Sequence, residues 1–163
     1  MKNRIAKKVC AAALAGLMTM ALVPTSVFAA GTMTIGVTSF ADTLEPTEQY
    51  FSWVISRYGV GQGLTKFDEE GNMVPCLATE WTNSEDGKTW TFTIREGVKF
   101  SNGNDMTPEL VKASLERTIE MSNRVPEFFD IDSIEVDGQN ITFNLNRANA
   151  NMAGCLADPL FLI

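Results

Sequence analysis

From Lys88 to Arg95 apolar and polar side chains alternate strictly, with Trp90, Phe92 and Ile94 set against Thr89, Thr91, Thr93 and Arg95. A period of two predicts a strand with one buried face. Asp86-Gly87 suits the positive φ of a tight hairpin turn, so the run from Leu77 to Trp81 is the antiparallel partner, and Trp81 and Trp90 share an apolar face. Glu96-Gly97 and Asn102-Gly103 bracket a short strand at Val98 and Phe100. Asp137-Gly138 joins Ile134/Val136 to Ile141/Phe143/Leu145 as a second hairpin. Asp68-Glu69-Glu70-Gly71 reads as a solvated hairpin turn; it lacks the alternating oxygen ligands and distal Glu of a calcium loop.

At Thr107-Pro108-Glu109 the period changes. A hydroxyl N-cap, a proline at the first helical position and an acid in the first turn predict a helix start. Val111, Leu115 and Ile119, with Leu110 beside them, form an apolar stripe laid on the sheet, while Glu109, Lys112, Glu116 and Glu120 face away. Met33, Ile35 and Val37 predict an early core strand. Pro46 and then Tyr50, Phe51 and Trp53 follow it. Ligands collect beyond strand ends in α/β lobes, and Tyr and Trp offer rigid apolar faces with polar tips. Tyr50 and Trp53 are therefore candidate ligand-binding residues; the competing reading packs them between a helix and the sheet. The loop Arg124-Val125-Pro126-Glu127-Phe128-Phe129 supplies two more candidates, Glu127 and Phe128, against the alternative of a hydrophobic plug.

The first 30 residues carry a different pattern. Lys2, Arg4, Lys7 and Lys8 precede an apolar run from Val9 to Val23, and Ala29 and Ala30 follow, which reads as a secretory signal peptide. The run is shorter than the ~20 residues of a spanning helix. Cys10 has no Leu-Ala-Gly type residues ahead of it and is not a lipid-acylation site. Without this segment the chain keeps nine basic against 20 acidic residues, a net charge of −11. That balance repels nucleic acid and anionic lipid. The expected location is outside the cytoplasmic membrane, periplasmic or cell-surface associated.

The chain contains no histidine, which removes Ser-His-Asp and Cys-His mechanisms and most zinc and non-haem iron sites. Gly59-Val60-Gly61-Gln62-Gly63 lacks the GKS/GKT of a phosphate loop and reads as a flexible crossing. Cys76 and Cys155 leave two possibilities, a disulfide permitted by an oxidising compartment or two buried thiols; no CxxC spacing supports a metal. The sequon Asn140-Ile141-Thr142 falls within an expected strand. Two carboxylates arranged for glycoside hydrolysis are invisible in sequence, so a secreted hydrolase stands as an alternative of another class.

One ordered block carries a resemblance. Gly63-Leu64, Pro75-Cys76-Leu77-Ala78, Trp81, Ser84-Glu85-Asp86-Gly87-Lys88-Thr89-Trp90, Val98-Lys99-Phe100-Ser101-Asn102-Gly103, and Thr107 with its helix to about Leu115-Glu116-Arg117 resemble the start of the peptide/nickel class, family 5, of bacterial extracellular solute-binding proteins. These are receptors of ABC importers, and the resemblance covers about residues 33–160. It implies a periplasmic-binding-protein-like α/β fold, of which this chain holds the first lobe only, with a mixed α+β, β-rich inserted subdomain. On that reading residues 1–30 are the signal peptide, 31–60 open the first lobe, 61–163 form the truncated inserted subdomain, and the second lobe is absent. The apolar end Asp158-Pro159-Leu160-Phe161-Leu162-Ile163 is expected to continue into more protein. The resemblance further implies no catalysis and no cofactor, with a short peptide as ligand and an ABC permease as partner. A nickel or metal-chelate receptor is the alternative within the family. Leu44-Glu45-Pro46 replaces the usual Leu-Asp-Pro, and Leu110 stands where the helix usually carries Asp. In the nickel branch aromatics and an arginine hold the chelate; Gln49, Glu127 and the arginine-free Ala157-Asp158-Pro159-Leu160 stand at the corresponding positions, closer to peptide-binding members.

Overall fold

Threonines and aromatics alternating along one strand produce a sheet with two unlike faces, and the computed structural model shows both. It describes residues 36, 42–48 and 50–163. The expected signal peptide over residues 1–30, Gln49 and the strand expected over Met33–Val37, apart from Gly36, lie outside the described residues. Gly36–Ile163 forms one unit. In chain order its elements are α1 (Phe51–Arg57), β1 (Thr65–Phe67), β2 (Met73–Pro75), β3 (Ala78–Asn83), β4 (Thr89–Ile94), α2 (Pro108–Met121), β5 (Ile131–Asp137), β6 (Asn140–Leu145) and α3 (Met152–Cys155). Short 3-10 turns at Val125–Glu127 and Pro159–Phe161 complete it.

β1 and β2 form a two-stranded hairpin. Its turn is closed by the Asp68 carboxylate, which accepts the N–H groups of Glu70 (3.1 Å) and Asn72 (2.7 Å). The other four strands are antiparallel in the order β3-β4-β6-β5. Trp81 pairs with Phe92 and Asn83 with Trp90, while Trp90 pairs with Phe143 and Phe92 with Ile141. This register stacks the apolar residues of β3, β4 and β6 in rows. Phe92 and Phe143 are fully buried and meet edge-on at 5.5 Å, and Trp81 and Trp90 flank Phe92 at 6.2 and 6.3 Å. Trp90 also donates its indole N–H to the Asn149 carbonyl at 3.0 Å, so its polar tip is satisfied where its body is buried. The opposite face is a polar ladder: Thr91 meets Thr142 at 3.0 Å, Thr93 donates to Asn140 at 2.9 Å, and Asn144 donates to Ser133 at 3.0 Å.

α2 begins as expected, the Thr107 hydroxyl accepting the Leu110 N–H. It continues through Met121, one turn beyond Arg117. Its buried positions are Pro108, Val111, Leu115 and Thr118, so at 100° per residue the stripe drifts toward Thr118 and Ser122 and away from Leu110, which is exposed on the far flank. Val98 and Phe100 do not make a strand. The turn at Asn102-Gly103 leaves arms long enough for a single bridge, Lys99 with Asp105, before Met106 bonds back to Val98 and α2 begins. Cys76 and Cys155 are unbridged thiols. Gly59–Gly63 crosses as irregular backbone, and Asn140-Ile141-Thr142 lies in β6. Among the described residues no helix is long and apolar enough to cross a membrane.

Candidate functional site

α2 ends at Ser122, whose hydroxyl accepts the Arg124 N–H at 3.3 Å. That local bond and Pro126 redirect the chain into the Val125–Glu127 turn. Val125 and Phe129 drop into the core, 4% and 5% exposed. The residues between them stay at the surface, fixed by their neighbours. Phe128 packs edge-on against the fully buried Phe161 at 5.2 Å, and its carbonyl accepts from the Asn149 amide (3.0 Å) and the Cys155 thiol (3.5 Å).

Arg124 brings the two candidate regions together. Its guanidinium carbon lies 4.7 Å over the Tyr50 ring and 5.8 Å from the Phe128 ring. Cation–π attraction of this kind accounts for the stacking. It supplies no acceptor. Nε and Nη1 of Arg124 are both buried with no hydrogen-bond partner among the described residues, and a buried donor left unmade carries its whole desolvation cost. A planar guanidinium with unpaired donors matches the geometry of a carboxylate or a phosphate.

Tyr50 itself is 65% exposed, and Trp53 is 46% exposed with its ring edge-on to Tyr50 at 6.5 Å. Neither aromatic packs the helix onto the sheet; Ser52 and Ile55 do the burying for α1. Glu127 is exposed and lines a groove of about 520 Å³ with Phe128, Arg147 and Asn149. Phe128 also lines a second groove of about 360 Å³ with Phe67, Cys155 and Pro159. Thus Tyr50 and Phe128 meet at Arg124, Trp53 stands beside Tyr50, and Glu127 lines the neighbouring groove. Arg124 was visible in sequence as the charge of its loop but not as a candidate. The only signal for it was a lone cation beside two aromatics. Gln49 lies outside the described residues, and Ala157–Leu160 forms the approach to the Pro159–Phe161 turn beneath Phe128. No group of three or more His, Cys, Asp or Glu side chains able to hold a metal occurs among the described residues.

The family model for bacterial extracellular solute-binding proteins, family 5 Middle, matches residues 72–163. The chain belongs to this family of solute-binding proteins. The glutathione-binding protein GsiB of Escherichia coli (strain K12) is 32% identical over 145 residues, 85% of this chain and 28% of the relative. The nickel-binding periplasmic protein of the same strain is 43% identical over 65 residues, 40% of this chain and 12% of the relative. Among solved structures, the nickel ABC transporter protein from Bacillus halodurans superposes with a TM-score of 0.68 at 35% identity, over 74% of this chain and 25% of that one. The chain spans less than a third of the length of each of these relatives. Its α/β architecture is that of the periplasmic-binding-protein-like members of family 5.

Proposed function

We propose that the chain is the first-lobe part of a binding receptor that captures a short peptide outside the cytoplasmic membrane and passes it to an ABC permease. In this reading residues 1–30 direct export, and residues 61–163 are the inserted subdomain of the lobe. The observation that carries it is the buried edge of the Arg124 guanidinium between Tyr50 and Phe128, which has no hydrogen-bond partner among the described residues. A peptide brings a carboxylate for those donors and main-chain groups for the surrounding rings, with Trp53 beside Tyr50 and Glu127 at the rim of the adjoining groove. The similarity to a glutathione-binding protein over 85% of the chain supports this ligand class, glutathione being a tripeptide. A hinged partner lobe closing over the ligand would complete the site. No bond is made or broken.

A carboxylate-bearing metal chelate is the second reading. The 35% identity to the Bacillus halodurans nickel protein favours it, and the same guanidinium would serve it. Calorimetry on the full-length receptor separates the two, with glutathione and unmodified tripeptides in one arm and nickel with and without a carboxylate chelator in the other. Tripeptide binding that weakens at least tenfold in Arg124→Met supports the peptide reading; binding of the chelate alone replaces it. The 163-residue chain by itself is expected not to bind peptide at micromolar levels.

A further inference from the structure

The segment that carries Tyr50 has a second attachment point. Glu45 precedes Pro46, which restricts residue 45 to extended backbone, and its carboxylate is largely sheltered, 19% exposed. Oε1 accepts the Thr47 N–H (3.1 Å), the Thr47 hydroxyl (2.6 Å) and Nη1 of Arg117 (3.1 Å). Oε2 accepts Nη2 of the same guanidinium. The grip is bidentate, the geometry in which an arginine–carboxylate pair is strongest and most directional.

Backbone bonds of the described residues link Glu45 toward the start of α1. Glu48 N–H bonds to the Glu45 carbonyl (3.3 Å), Phe51 N–H to Glu48 (3.1 Å) and Trp53 N–H to Tyr50 (3.2 Å). The Glu48–Glu45 and Phe51–Glu48 bonds couple the Glu45 turn to the first residue of α1, next to Tyr50. α1 buries Ser52 and Ile55 and leans on the Pro159–Phe161 turn, but among the described residues none of its side chains belongs to the main apolar cluster. The Glu45 tether thus adds to a small anchor. Arg117 lies on α2, and Arg124 follows the end of the same helix, seven residues further on. One element thus holds the Tyr50 segment at two points, by an ion pair at Glu45 and by ring stacking at Tyr50.

We propose that Arg117 is a positioning residue for the ligand site, its bidentate hold on Glu45 setting where the Tyr50 ring stands over Arg124; as a statement about ligand capture this rests on the function proposed above. Ordinary exposed ion pairs contribute little. This one differs because its partner carboxylate is sheltered, doubly gripped and continuous with the turn leading to the site.

Hydrogen exchange by mass spectrometry on the full chain tests it. Arg117→Met should speed exchange across residues 50–57 at least fivefold while β4 and β6 keep their protection, and the swap Glu45→Arg with Arg117→Glu should restore much of it. Unchanged exchange at 50–57, or an equal loss in β4 and β6, overturns the proposal. In the full-length receptor titrated with glutathione, Arg117→Met should weaken binding about as much as Tyr50→Ala, and the charge swap should recover it. If Tyr50→Ala weakens binding and Arg117→Met does not, the positioning role fails. If neither Tyr50→Ala nor Arg124→Met matters, the ligand reading fails, and the exchange result still decides how α1 is held.

Discussion

Replacing Thr65 with Val isolates the bond that joins the first hairpin to the last helix. The Thr65 side chain is 1% exposed, and its hydroxyl donates to the Ala153 carbonyl at 2.6 Å across 88 residues of sequence. Valine keeps the shape and adds apolar surface, so area considerations alone predict no loss or a slight gain. The hydrogen-bond argument predicts the reverse: the Ala153 carbonyl, in a residue 4% exposed, loses its donor and can reach no water. An orphaned buried acceptor costs about 1–3 kcal/mol. Serine keeps the hydroxyl and removes one methyl, a loss of about 0.5–1.5 kcal/mol. Urea denaturation followed by circular dichroism should therefore rank wild type above Thr65→Ser above Thr65→Val. A loss of about 2 kcal/mol at a slope of about 2 kcal/mol per molar moves the midpoint down by about 1 M. A Thr65→Val midpoint at or above that of wild type, or below it by less than Thr65→Ser, refutes the reasoning.

Gly63→Ala should destabilise by about 1–3 kcal/mol, since its Cβ would stand 2.9 Å from the Leu156 carbonyl oxygen and 3.1 Å from that of Thr65, both backbone atoms. Gly71→Ala, at φ +83° in open space, should cost about 1–2 kcal/mol through left-handed backbone strain alone; the same urea titration checks both. Thr107→Ala should cost about 1 kcal/mol through loss of the α2 N-cap, and Thr107→Ser should recover most of it in thermal unfolding. The Glu45 carboxyl is held down from 4.5 to about 2, chiefly by the hydrogen bonds from Arg117. A depressed carboxyl contributes stability that is full above the unfolded value and lost as pH falls through the folded one. The stability gap between wild type and Glu45→Gln should thus be constant above about pH 5 and close toward about pH 2; a gap independent of pH across that window contradicts the assignment.

Local chemistry made much of the sheet legible. Alternation set the buried face of β4, Asp86-Gly87 and Asp137-Gly138 marked two hairpins, and Thr107-Pro108 marked the start of α2. Each of these is decided within a few residues. Insertion of β6 between β4 and β5 was not legible, because the pairing of Trp90 with Phe143 joins residues 53 apart and neither strand's pattern names its neighbour. Nor was the exposure of Leu110, which depends on where along the helix the sheet makes contact. The meeting of Tyr50 with Arg124 was hidden for the same reason: 74 residues separate them, and an arginine looks alike in sequence whether its donors are paired or free.

The irregular crossing at residues 59–63 returns in a different light when the last residue is considered. Ile163 donates its N–H to the Gln62 carbonyl at 2.9 Å, and Leu162 touches the position where Gly61 would carry a Cβ. A contact across about a hundred residues of sequence thus ties this crossing to the backbone just beyond the Pro159–Phe161 turn. Closing a loop of that length costs ordering entropy that the bonds between its ends must offset, so slackening the crossing should slacken the turn as well.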